Sequence, residues 1–194
     1  YDPTKMDNLK FGQSPAIVTN MMIERMAAPG GPTDGAILRP GDNKEIDSIA
    51  FVQCAGSRDE NHLEYCSHIC CMATFKQMTY VRERYPEAKI FVYYIDLRSP
   101  GKYEKFREKL MADENAFFIK GKVAEIVPEA DGGVTVVAEN IPSNCWTVGV
   151  APVNATNNVA TVYPNPFNNS LTIEVNNLAD INTSELRNDL PNSW

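Results

Sequence analysis

The 194-residue sequence predicts an α/β fold with parallel strand pairing, Rossmann-like in its grammar. Three observations carry that reading. Ser48–Gln53 and Lys89–Leu97 each hold a short apolar run, the second being Ile90-Phe91-Val92-Tyr93-Tyr94-Ile95, and such runs fit strands buried on both faces. Between and after them lie two helical patterns. A further pair of strand-like segments closes the series, and strand–helix–strand–helix–strand is the order of a parallel α/β unit.

The elements follow in chain order. A short helix is expected at Asn20–Ala27, and residues 29–47 are a turn-rich loop, with room for a short strand at Ala36–Arg39. Cys54–Leu63 is a polar loop after the first long strand. From about Tyr65 to Tyr85, Met72, Phe75, Met78, Thr79 and Arg82 recur at helical spacing, and Pro86 marks the exit. Lys102–Asp113 reads as a second, highly charged helix. Phe117–Ile126 and Val134–Glu139 read as strands joined through the hairpin signal Asp131-Gly132-Gly133. In the pair Tyr93-Tyr94 the side chains alternate faces, which puts at least one ring in the core.

Composition narrows the function. A net charge of −7 disfavours a nucleic-acid surface, which needs a basic stripe. No run of 18 apolar residues exists, so no membrane span is expected. The start Tyr1-Asp2-Pro3-Thr4-Lys5 has no initiator Met and no signal-peptide core, as in a fragment or a processed chain. Beyond residue 140 the composition changes. Residues 141–194 hold 12 Asn in 54 positions against 6 in the preceding 140, with one Arg and no Lys. Three segments are therefore expected: 1–47, an α/β domain over 48–140, and an Asn-rich β tail over 141–194.

Four of the five cysteines, Cys54, Cys66, Cys70 and Cys71, fall within 18 residues in the spacing C-x11-C-x3-C-C. This is not the spread of a secreted disulfide framework, and it reads as metal binding or redox work. Cys54 sits at the carboxyl end of the first strand, where α/β sheets bind ligands. Cys66, Cys70 and Cys71 sit at the start of the expected helix. Cys66 and Cys70 share a helical face, whereas Cys71 is rotated by about 100°; one regular helix cannot aim all three at one point. Four thiolates suit a [4Fe–4S] cluster. Zinc is the alternative, although structural zinc favours two separated C-x2-4-C pairs. Buried packing of free thiols is the plain reading. His62 and His68 flank the set as possible substitute ligands or ordinary neighbours. Arg58 and Asp59 would balance cluster charge or cap the helix, and Asp96 with Arg98 would form a salt bridge at the end of the second strand. The loop Cys54-Ala55-Gly56-Ser57-Arg58-Asp59 is no G-x-G-x-x-G, so a dinucleotide is not expected there.

The strings Ile49-Ala50-Phe51-Val52-Gln53-Cys54-Ala55-Gly56-Ser57-Arg58-Asp59, Tyr65-Cys66-Ser67-His68-Ile69-Cys70-Cys71-Met72 and Tyr94-Ile95-Asp96-Leu97-Arg98 resemble the A subunit of heterodisulfide reductase. The closer likeness is to its relative, the A subunit of the quinone-interacting membrane-bound oxidoreductase of sulfate reducers. Ser14–Arg25 and Lys120–Ile126 fit as well, so the resemblance spans roughly residues 1–140. It implies a thioredoxin-reductase-like flavoprotein that binds FAD and iron–sulfur clusters and exchanges electrons with other subunits of a cytoplasmic or membrane-associated complex. It implies Cys54, Cys66, Cys70 and Cys71 as ligands of a [4Fe–4S] cluster, and adenylylsulfate reductase or a heterodisulfide as the redox partner. The family's glycine-rich FAD fingerprint is missing, so the chain is expected not to hold FAD tightly alone, with residues 1–47 as a partial linker or flavoprotein segment. A non-catalytic module with zinc or no metal is the other class.

Val162-Tyr163-Pro164-Asn165-Pro166-Phe167-Asn168-Asn169-Ser170-Leu171-Thr172-Ile173 is similar to the start of the C-terminal sorting domain of type IX secretion. That implies export and conflicts with a cytoplasmic cluster; a chimeric or misassembled reading frame accounts for both, and an unrelated Asn-rich hairpin is the alternative. Three Asn-x-Ser/Thr matches begin at Asn154, Asn168 and Asn182 and carry no weight outside a secretory context.

Overall fold

A computed structural model describes residues 2–140 and the backbone of 170–173. Two one-turn 3-10 helices, Pro3–Lys5 and Asp7–Leu9, lead to helix α1 (Asn20–Ala27). Thr19 caps α1 by accepting from the Met22 amide, and the helix stops just before Pro29. Strands β1 (Leu38–Arg39) and β2 (Lys44–Glu45) form a small antiparallel pair. The sequence pattern gives no sign of β2, whose two residues are both charged and exposed. An Arg39–Asp42 ion pair and the left-handed Gly41 and Asn43 shape its turn.

The main sheet runs β3 (Ser48–Val52), β4 (Lys89–Tyr94), β5 (Ala116–Pro128), β6 (Val134–Asn140) and β7 (Ser170–Ile173) in that spatial order. β3, β4 and β5 pair in parallel, with Ala50 beside Phe91 and Phe91 beside Phe117. α2 (Cys70–Arg84) links β3 to β4, and α3 (Glu104–Met111) links β4 to β5. The expected α/β fold is the one observed, and its connectivity is Rossmann-like. β5 and β6 make the expected hairpin, in which the left-handed Gly132 and the Asp131 carboxylate, accepting from the Gly133 amide at 2.8 Å, close the turn. The tail's Asn-rich segment lies mostly outside the described residues, as do its secretion-like motif and the 141–194 boundary; Ser170–Ile173 is antiparallel to β6.

Each face of β4 is buried, and the period of two divides the core. Ile90 and Val92 face α1, α2 and α3, meeting Ile23, Met26, Phe75, Met78, Val81 and Leu110. Phe91 and Tyr93 face the other way and pack with Met6, Leu9, Phe117, Val123, Ile126 and Val136. Tyr93 is fully buried while Tyr94 is half-buried, as the alternation requires.

Two helix limits differ from the sequence pattern. α2 begins at Cys70, not near Tyr65, because His68 adopts a left-handed conformation (φ 63°) that a continuing helix cannot contain. α3 begins at Glu104 after a 3-10 turn, Gly101–Tyr103, that follows Pro100. At its far end α2 is held by Arg82. Its guanidinium reaches the Asp113 carboxylate (2.8 Å) and donates to the carbonyls of Tyr85 (3.3 Å), Pro86 and Ala88 (3.0 Å). One side chain thus fastens the α2–β4 turn to the α3–β5 turn. Arg82→Ala should cost about 2–3 kcal/mol, because hydrogen bonds to a charged group are lost and a half-buried carboxylate is left behind; urea unfolding measures it.

Candidate functional site

The parallel strands β3 and β4 end on one edge of the sheet, and the segments that follow them build the site. Gln53 fixes the first segment. Its amide donates to the Tyr93 carbonyl (2.9 Å), and its buried side chain donates to Thr74 Oγ1 of α2 (2.6 Å). The chain then turns sharply at Cys54 (φ 57°), Gly56 (φ 79°) and Arg58 (φ 56°). A left-handed residue that is not glycine is held against its preference, and such strain gathers at functional sites. Cys54, Arg58 and His68 are three of them within this one loop. The loop closes on itself through Leu63 N–H to Gly56 O (3.1 Å) and Arg58 N–H to Tyr65 O (3.3 Å).

Cys54 and Cys71 are buried, whereas Cys66 and Cys70 are half-buried, and all four are free thiols. Cys66 is not on the helix, contrary to the shared-face reading of its spacing with Cys70. That difference removes the geometric objection raised by the sequence. The turn at His68 separates Cys66 from α2, so three thiols need not radiate from a single regular helix.

The sulfurs already receive donors. The His68 amide points at Cys66 Sγ (3.4 Å). Cys70 Sγ accepts from the Cys71 thiol, from the Ser67 hydroxyl and from the amides of the first turn, and these partners bring it to a pKa of about 5 against the burial that opposes them. The same thiol–thiol hydrogen bond holds Cys71 protonated, with its pKa far above the ordinary value, and burial adds to this. Cys71 Sγ also meets the Asp96 carbonyl (3.9 Å) and the Arg98 amide. Burial and then the nearby Cys70 push the Cys54 thiol up, while Arg58 pulls it down. No side chain caps α2, whose first residue is Cys70, so a thiolate there is the anion that the helix N-terminus favours.

In the metal-free chain Cys70 is therefore the thiolate at mildly acid pH. Its fraction ionised rises through pH about 5, whereas an ordinary thiol ionises near 9. A low pKa also weakens the nucleophile, so the net labelling advantage over an ordinary cysteine is roughly fortyfold at pH 5.5 and roughly fivefold at pH 6.5. Peptide mapping after brief iodoacetamide treatment across that range should find Cys70 modified first.

The charged residues separate into two groups. Arg58 Nη1 lies 2.9 Å from Asp96 Oδ2, and Arg98 lies 3.4 Å from the same carboxylate, all on the cysteine side. The Asp96–Arg98 salt bridge is as the sequence suggests; the link from Arg58 across the two loops is not legible from spacing. Asp59 does neither job expected of it. It turns away to Lys122 (2.9 Å), which lowers its pKa, and neither it nor Arg58 caps α2. His68 is exposed, while His62, Asp59, Lys122 and Asn8 line a cleft of about 430 Å³ on the far side of Cys54. Among the described residues no three His, Cys, Asp or Glu side chains converge at the range of a single bound ion. The donor set nonetheless fits an iron–sulfur group in its chemistry: four soft thiols, with N–H and O–H donors on Cys66, Cys70 and Cys71. Cys145 lies outside the described residues.

The fold and site define the class as an α/β module with free thiols gathered at the carboxyl edge of its sheet. The particular likeness is to the A subunit of heterodisulfide reductase. The chain is 41% identical over 142 residues to the A subunit of the ferredoxin/F(420)H(2)-dependent CoB-CoM heterodisulfide reductase of Methanosarcina acetivorans, covering 72% of this chain and 18% of that one. It is 40% identical over 132 residues to the second iron-sulfur A subunit of the CoB–CoM heterodisulfide reductase of Methanopyrus kandleri, covering 67% and 20%. The corresponding iron-sulfur A subunit of Methanocaldococcus jannaschii is 34% identical over 133 residues, covering 68% and 20%. The chain thus spans about a fifth of the length of these relatives, which are oxidoreductase subunits. No protein-family model matches it. Among the described residues no helix is long and apolar enough to cross a membrane.

Proposed function

We propose that this chain is the cluster-bearing segment of an electron-transfer subunit, with Cys54, Cys66, Cys70 and Cys71 as the ligands of one [4Fe–4S] cluster. The observation that carries the reading is the placing of these thiols on the β3–α2 loop and the first turn of α2 at one sheet edge, with hydrogen-bond donors on Cys66, Cys70 and Cys71. The relatives named as iron-sulfur subunits support it independently. When bound, such a cluster supplies one-electron transfer. The chain's own residues do the rest. Cys70 is ready as a thiolate at the helix start, the His68 and Arg98 amides favour negative charge on Cys66 and Cys71, and the Gln53–Thr74 bond fixes the loop against α2. Among the described residues none is assigned as a general acid or base.

The wider role we propose is relay between this cluster and FAD held by a larger polypeptide, in a cytoplasmic or membrane-associated complex with further subunits. Its acceptor is a heterodisulfide, or a quinone-linked chain that serves adenylylsulfate reductase. FAD binds weakly to this chain by itself, and flavin absorbance surviving gel filtration would show otherwise. Anaerobic reconstitution with iron and sulfide tests the core of the reading. The expected result is about four irons and about four sulfides per chain, the content of one such cluster, with broad visible absorbance. A colourless protein that instead retains one zinc favours the structural-module reading and overturns this one.

A further inference from the structure

We propose that Asp96 is a positioning residue which pins Arg58 and Arg98 beside the cysteine thiols, and that these two guanidiniums raise the reduction potential of the group the thiols hold. The inference rests on the iron–sulfur reading above and adds to it the residues that set the site's charge.

The geometry is the first support. Arg58 belongs to the loop after β3 and Asp96 with Arg98 to the segment after β4. Asp96 Oδ2 takes Arg58 Nη1 at 2.9 Å, and Arg98 presents Nε to Oδ1 and Nη2 to Oδ2, each at 3.4 Å. One carboxylate thus holds two cations. The same segment touches a ligand directly, since the Asp96 carbonyl and the Arg98 amide both meet Cys71 Sγ. The guanidinium of Arg58 acts on Cys54, against the opposite and weaker effect of the Asp96 carboxylate, and that of Arg98 acts on Cys66 and Cys71.

The second support is that stability does not account for the arrangement. Asp96 and Arg98 are both more than two-fifths exposed, and Arg58 more than a quarter. Ion pairs so placed contribute little to folding. Arg58 in addition stands in a left-handed conformation, which opposes folding. Charge at the thiols is what the arrangement supplies. Reduction brings in one electron from the reductant, with no bond made or broken, and the site becomes more negative by that charge. Two fixed guanidiniums against one carboxylate leave a net positive rim, which favours the reduced form.

The test is the midpoint potential of the reconstituted protein, titrated anaerobically with dithionite and followed by EPR and visible absorbance. Arg58→Gln and Arg98→Gln should each lower the equilibrium constant for reduction roughly three- to tenfold, the size expected for a partly screened charge at short range. Arg58→Lys should restore most of the effect of the first. Asp96→Asn separates positioning from plain charge. If Asp96 pins the arginines, its loss frees them into solvent and the potential falls. If it acts only through its own charge, removing that charge raises the potential, and its positioning role is overturned. Iron content and thermal melting near wild type in each variant exclude misfolding as the cause. Fully loaded variants with unchanged potentials overturn the proposal while leaving the cluster reading intact. A wild-type chain that takes up no iron and sulfide overturns both.

Discussion

Cys71→Ser should abolish retention of iron and sulfide by the reconstituted chain, and Cys70→Ser should do nearly the same. Cys71 is 4% exposed and packs in the core from the first turn of α2, so no water or outside thiol can take its place without opening that core. Serine is smaller in radius at its donor atom and is a hard oxygen ligand, poorly matched to iron in a sulfide cluster. It also leaves the Arg98 amide and the Asp96 carbonyl set for a longer side chain. Cys70 is less buried, but its thiolate is the anion at the start of an uncapped helix. Iron and acid-labile sulfide analysis after desalting reads both variants. Retention of full iron by Cys71→Ser would remove that residue from the ligand set.

Phe75→Ala should destabilise the fold by about 3–5 kcal/mol, the range for truncating a large buried aromatic. Phe75 is 0% exposed and lies one helical turn after Cys71 on the same face of α2. It packs in the layer that joins α1, α2 and α3 to β3 and β4. The cavity cannot collapse easily, because its neighbours Ile90, Val92, Met78 and Val81 are themselves fully buried. Urea unfolding of the metal-free chain measures the loss. A cost under about 1 kcal/mol would mean that the helix layer is loosely packed, contrary to the burial described.

Much of this architecture is legible in local pattern. The apolar run of β4 is buried on both faces because the helices cover one and the layer of Met6, Leu9 and the β5–β6 hairpin covers the other, and its composition alone implies as much. The hairpin after β5 follows from Asp131-Gly132-Gly133, whose turn geometry is local. What local pattern hides is of another kind. The start of α2 is obscured because Tyr65–Ile69 carries no proline or glycine, and the break at His68 is a backbone choice enforced by the loop around it. β2 is two charged residues held by a turn and by pairing with the equally short β1. Arg58 and Asp96 stand 38 positions apart in sequence, and only the parallel register of β3 and β4 brings their loops together. The same register sends Asp59 toward Lys122 on β5 and away from the thiols. The clustering of the cysteines is legible from spacing, yet their division between the β3–α2 loop and the first turn of α2 is not.

Helix α2 ties three distant places into one mechanical member. Its first turn carries Cys70 and Cys71, its middle presents Gln77 to the Asn20 carbonyl (3.0 Å) and to Glu24 of α1 (2.8 Å), and its last turn carries Arg82 with its grip on the α3–β5 turn. Fifteen residues make a rod about 22 Å long. Fastened at its middle and at its far end, the rod presents Cys70 and Cys71 from a support anchored to α1 and to the α3–β5 turn.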